Sequence, residues 1–128
     1  MTRLVGVSSV PKAELHPHIE GTATPGLIRR LAQRNGLKLP ANMFTDEGHY
    51  KWSGFPEFLL AYDRAAACIK TRQDYYDVTR EYLQACAEDG AVYVEFFTSP
   101  DNPAAHGIGF EEHLENLAFA IEDVARET

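Results

Sequence analysis

The chain has little of what marks a membrane-bound, disulfide-stapled or nucleic-acid-binding protein. No apolar run approaches the ~20 residues needed to cross a bilayer. The short apolar stretch Leu4 to Val10 has one Arg before it and no convincing cleavage site, so it does not read as a signal peptide. Cations are in the minority: 12 Lys and Arg against 19 Asp and Glu leave a formal charge of −7. That sign repels phosphate backbones and anionic lipid heads, which argues against nucleic-acid and membrane partners. Cysteine is scarce. Cys68 and Cys86 each sit in a helical pattern and neither belongs to a Cys-x-x-Cys pair. Two buried thiols in a reducing compartment, and with them a cytoplasmic location, are the expectation. The same scarcity excludes the zinc architecture built on His-x-Glu followed by Pro-Cys-x-x-Cys. No internal repeat or low-complexity segment is visible.

What is present is the balance of a globular protein, 45% hydrophobic and 24% charged over 128 residues, the length of one ordinary domain. Residues 1–10 carry no clear punctuation and read as a leader. Lys12 to His16 reads as a first strand. Thr24-Pro25 looks like an N-cap followed by proline at the first helical position, and Leu27, Ile28, Leu31 and Ala32 recur at helical spacing until Asn35-Gly36 stops them. After a polar, irregular stretch over 37–54, a second helix starts near Pro56. Its stripe of Phe55, Phe58, Leu59, Tyr62, Ala65 and Ala66 has core packing as its default reading.

Thr71 caps a third helix, with Asp74 three residues on and Tyr75, Val78, Tyr82, Ala85 and Cys86 as its buried face; Asp89-Gly90 ends it. Ala91 to Thr98 is the clearest strand, apolar on both parities except for Glu95, which predicts burial on both faces as in a parallel sheet. Residues 101–109 read as a loop. A last helix turns Phe110, Leu114, Leu117, Ile121 and Val124 inward. Strands joined by helical crossovers make parallel sheets with helices outside, so the fold class is α/β.

The chemistry concentrates at Glu14-Leu15-His16-Pro17-His18-Ile19-Glu20-Gly21. Alternate residues of a strand share a face, so His16 and His18 can both reach one metal ion. Zinc accepts neutral imidazole nitrogen, and a catalytic zinc site keeps one position open for water. A pair of solvated loop histidines would look the same at this level. His49 and His106 in polar loops and His113 on a charged helix are read as surface residues.

The segment Pro11-Lys12-Ala13-Glu14-Leu15-His16-x-His18-Ile19-Glu20-Gly21 resembles the opening motif of the adenosine and adenine deaminases, a branch of the amidohydrolase superfamily. The likeness continues through Leu31-Ala32-x-Arg34-x-Gly36, Phe55-x-x-Phe58-Leu59-x-x-Tyr62-Asp63, Asp74-Tyr75, Glu81-Tyr82-Leu83, and Asp89-Gly90-x-x-Tyr93-x-Glu95 with Ser99-Pro100. The chain is identified as a member of that family. The resemblance implies a (β/α)8 TIM barrel with Zn2+ at the C-terminal strand ends. Because such a barrel needs ~200 residues or more, 11–128 would be its N-terminal part, about two of eight strands with their helices.

On that resemblance His16 and His18 are zinc ligands, Glu20 matches an acid that helps hold the substrate, and Phe58, Leu59 and Tyr62 match a helix lidding the purine pocket; His18 also borders the substrate. The family's remaining ligands and its catalytic acid and base would lie beyond residue 128. The implied function of the complete protein is hydrolytic deamination of adenosine to inosine and ammonia in purine metabolism, with adenine or another 6-aminopurine as the alternative. Its partner would be a purine nucleoside or base. The segment Tyr50-x-Trp52-x-x-Phe55 looks most like bacterial adenosine deaminases, whereas Glu20 does not separate nucleoside from base. Pro17 departs from the pattern by removing a ladder donor between the two ligands. A reading of another class is a catalytically incomplete chain of this length, acting as a binding or structural piece. Two barrel strands alone expose apolar edges, so contact with the remaining barrel or self-association is expected.

Overall fold

In a computed structural model, which describes residues 6–128, two parallel strands form the sheet of the described residues: β1, Lys12–His18, and β2, Ala91–Phe97. Between them run α1 (Pro25–Arg34), α2 (Phe55–Ala66) and α3 (Arg72–Glu88); α4 (Asp101–Ala104) and α5 (Phe110–Glu127) follow β2. A single 3-10 turn, Ile19–Gly21, leads out of β1. The α/β class and the parallel pairing are as the sequence predicts.

Local chemistry explains the helix boundaries. The Thr24 hydroxyl accepts from the Leu27 N–H at 3.2 Å, Pro25 occupies the first turn of α1, and Gly36 ends it at φ +67°. Leu27, Ile28, Leu31 and Ala32 are all buried, as their spacing requires. At α3 the Thr71 side chain accepts from the Asp74 N–H while the Asp74 carboxylate accepts from the Thr71 N–H, a reciprocal capping box. Tyr75, Val78 and Cys86 are buried there, but Ala85 is exposed and Tyr82 only half-buried. Cys68 is buried just past the end of α2 rather than within a helix, and both thiols are free.

Further expectations about the fold are corrected. β1 extends to His18 rather than stopping at His16. Residues 101–109 include the short helix α4. β2 is not covered on both faces: Val92, Tyr93, Glu95 and Phe97 are exposed, because β1 is its one paired neighbour among the described residues. In α5 the inward residues are His113, Leu117, Ala120 and Val124, while Phe110, Leu114 and Ile121 are exposed. The two stripes share Leu117 and Val124, so periodicity alone does not choose between them. Packing against α3 does, through Arg72–Glu112 at 3.2 Å, Arg80–Glu127 at 2.9 Å and a Tyr76–Asp123 hydrogen bond.

Of the leader, residues 1–5 lie outside the described residues. Residues 6–10 make a turn, with the Ser9 N–H donating to Gly6 O at 3.1 Å, and this turn sits against the end of α3. Gly90 is at φ +91°, and a Cβ there would lie 2.2 Å from the Ser8 carbonyl oxygen. Both the backbone conformation and the close approach require glycine. Gly90→Ala is expected to destabilise the fold by about 2–4 kcal/mol, read as a lowered denaturant midpoint. An unchanged midpoint would show that the turn moves aside freely.

Candidate active site

The two histidines come together, but not by simple strand alternation. The ladder pairs Leu15 with Glu95 and then His18 with Phe97, so β1 takes three steps where β2 takes two. The extra residue is a bulge centred on His16 and Pro17. Pro17 has no N–H to donate to the ladder, and His16 adopts φ +76°, a conformation uncommon for a residue with a Cβ and often found at functional sites. The imidazole centroids are 5.5 Å apart. Phe97, which no sequence signal marked, packs against both rings, at 4.6 Å from His16 and 5.5 Å from His18.

With metal–nitrogen bonds of about 2.0–2.1 Å, two imidazoles at this separation can reach one ion. Both side chains are exposed at the C-terminal strand ends, the face on which TIM barrels build their sites. The donor set therefore fits half of a zinc site. No group of three or more His, Cys, Asp or Glu suited to a metal occurs among the described residues.

Beside the pair lies a pocket of about 550 Å³, lined in part by His18, Glu20, Trp52, Phe58, Leu59 and Tyr62. That volume suits a small ligand. The core reading of the α2 stripe fails for its first half. Ala65 and Ala66 are buried, but Phe55 is 69% exposed and Phe58 and Leu59 open onto the pocket. Trp52 meets Phe58 edge-on at 5.2 Å, and the Tyr50 hydroxyl donates to Ala23 O at 2.6 Å, tying the irregular 37–54 segment to the pocket wall. Gly21 faces the ring of Tyr62, which a Cβ would meet at 2.8 Å. Only glycine lets α2 approach this closely.

Glu20 is 2% exposed at the base of this wall. Its Oε1 accepts from the Ser99 N–H at 2.8 Å and the Thr98 hydroxyl at 3.4 Å, and its Oε2 lies 3.5 Å from the Tyr62 hydroxyl. Burial, reinforced by the Glu20 charge, pushes the Tyr62 phenol up to about 12, so it remains a donor near neutral pH. His113 is not on the surface as read from the sequence. It is fully buried against the edge of Tyr75, with Nε2 2.7 Å from Thr98 Oγ1. Burial lowers its pKa against the opposing charge of Glu20. Its spacing from Leu117, Ala120 and Val124 was the signal that could have placed it inward. His49 and His106 are exposed as expected.

Residues 11–128 match the family model described as adenosine deaminase. The chain belongs to the adenosine deaminase family. Two curated relatives, each named adenine deaminase, are similar: one from Bordetella parapertussis, 42% identical over 118 residues (91% of this chain, 37% of that protein), and one from Chelativorans sp., 43% identical over 107 residues (84% and 32%). The crystal structure of adenine deaminase from Arthrobacter aurescens matches with TM-score 0.72 and 34% identity over 90% of this chain and 36% of that one. An amidohydrolase from Burkholderia ambifaria, crystallised with bound Zn, shares the fold at TM-score 0.79 and 21% identity, covering 98% of this chain and 36% of its own.

The fold is thus the N-terminal portion of the TIM barrel of this deaminase family. The chain spans about a third of the length of these relatives, 32–37%. No helix among the described residues is long and apolar enough to cross a membrane.

Proposed function

We propose that the complete protein is a zinc-dependent purine deaminase that replaces the 6-amino group of adenine with oxygen, releasing ammonia. The observation that carries this reading is the placing of two converging imidazoles beside an apolar pocket with a buried acid at its base. His16 and His18 would hold the metal. When bound, zinc makes hydroxide available near neutral pH by lowering the pKa of a water.

The chain's own residues account for binding and orientation. Trp52, Phe58 and Leu59 offer flat and apolar surfaces to a purine ring and exclude water from it. The Glu20 carboxylate accepts an N–H of the heterocycle, and Tyr62 steadies its outer oxygen. The proton donor, the base and the other ligands are assigned to no residue of this chain. The exposed apolar residues of the sheet, Leu15 and Val92 among them, are where the remaining barrel strands would dock.

We put adenine ahead of adenosine, to which Tyr50-x-Trp52-x-x-Phe55 had pointed, and the name adenine deaminase carried by relatives at 34–43% identity supports that order. Adenosine is the second reading because Tyr50 and Trp52 of that segment line the pocket. Ammonia release from adenine and from adenosine by the complete protein decides the order. A kcat/KM at least about tenfold higher for adenine is expected. Preference for adenosine would reverse the assignment, and no release from either would remove it.

A further inference from the structure

Glu20, Thr98 and His113 come from three separate parts of the chain and meet in one polar row, with Glu20 and His113 buried and Thr98 half-buried between them. Glu20 has no Lys or Arg among its partners in the described residues; it is held by the Ser99 N–H and two hydroxyls. A threonine hydroxyl has one proton, so whichever way it points leaves the other neighbour facing a lone pair. His113 Nδ1 is buried with no hydrogen-bond partner among the described residues.

These facts discriminate between the tautomers of a neutral imidazole. With the proton on Nδ1, a buried N–H is orphaned, Nε2 captures the Thr98 proton, and Thr98 turns a lone pair toward the carboxylate. With the proton on Nε2, Nε2–H donates to Thr98, Thr98 O–H donates to Glu20 Oε1, and only an acceptor lone pair is left over. The second arrangement leaves no buried donor unpaired, and orphaned N–H groups are the rarer defect. Tyr75, edge-on at 4.7 Å and 79°, holds the ring in place for it. Burial disfavours the doubly protonated ring, in keeping with the lowered pKa.

We propose that His113, as the Nε2–H tautomer, is a positioning residue that turns the Thr98 hydroxyl onto Glu20 and so sets the orientation of the pocket carboxylate. This deepens the reading of Glu20 as the substrate-holding acid and rests on it. With Oε1 fixed from behind by Ser99 and Thr98, Oε2 is the oxygen that faces Tyr62. A carboxylate free to rotate would bind the purine less well without altering the metal ligands.

The test uses the complete zinc-loaded protein. Nitrogen-15 NMR of labelled histidine is expected to show His113 protonated on Nε2 alone; protonation on Nδ1 would overturn the proposal. Thr98→Val is expected to raise KM for adenine about tenfold, the scale of one lost hydrogen bond to a charged group, with kcat within about twofold and zinc content unchanged. His113→Leu should do the same, and His113→Gln, whose amide N–H can replace Nε2–H, should restore most of the loss. An unchanged KM in Thr98→Val alongside a raised KM in Glu20→Gln would refute the positioning role. An unchanged KM in Glu20→Gln would instead reject the substrate role of Glu20. The tautomer measurement needs no activity and still decides for or against the His113–Thr98–Glu20 row.

Discussion

Replacing both His16 and His18 with Ala in the complete protein is expected to abolish stoichiometric zinc and to lower deamination by at least about 10³-fold, the scale of losing a metal-generated nucleophile. The two rings stand 5.5 Å apart at the end of β1, and His16 is held at φ +76° by the bulge that Pro17 imposes. A residue kept in that conformation needs a compensating role, and presenting an imidazole nitrogen beside its neighbour is one. Both side chains are exposed, so the substitution leaves no cavity and the fold should survive. Metal analysis of the purified variant is the decisive measurement. Zinc retained at one equivalent would show that the ligands are elsewhere.

The largest effect on stability is expected at Asp74, which is fully buried. One Oδ accepts from Asn35 at 2.7 Å, Lys70 N at 2.9 Å and Thr71 N at 3.0 Å; the other meets Arg34 at 2.8 Å. Arg34 also reaches Asp77 at 2.9 Å, so the end of α1 is tied to the start of α3. Asp74→Ala removes the capping box and leaves several part-buried donors without their acceptor, with an expected loss of about 3–5 kcal/mol. Burial opposes ionisation of this carboxyl, but the hydrogen bonds from Asn35, Lys70 N and Thr71 N outweigh it and hold the pKa below the usual carboxylate value.

A depressed folded-state pKa contributes stability that is present above the unfolded value and is lost as pH falls through the folded one. The gap between wild type and Asp74→Ala should therefore be full near pH 7 and narrow progressively below about pH 4. Denaturant midpoints across that range check it. A gap that widens on acidification would contradict the assignment.

The pieces of fold that were legible are those set by short-range chemistry. Thr24-Pro25 and Thr71 with Asp74 start helices because their side chains and ring satisfy or pre-empt the first free N–H groups, wherever the helix then packs. The strand Ala91–Phe97 was clear from its β-branched and aromatic run. Its exposure was not, because burial on a sheet depends on which other strands are adjacent. The α5 stripe was ambiguous for a related reason. Phe110, Leu114 and Ile121 are as apolar as the residues that are buried, and only the contacts with α3 select the face containing His113.

By itself the sequence determined the family and the identity of the chemical groups: a His-Pro-His pair, an acid two residues on, and an aromatic helix after a polar stretch. Motif spacing survives in sequence because these residues act from one short turn of backbone. Only the tertiary structure decided how they are held. The bulge at His16, the wedge of Phe97 and the path from His113 through Thr98 to Glu20 join residues up to 93 positions apart, counting from Glu20 to His113. Such contacts depend on the register of two parallel strands and the rotation of one helix. A one-residue change in either would send every side chain concerned to a different face.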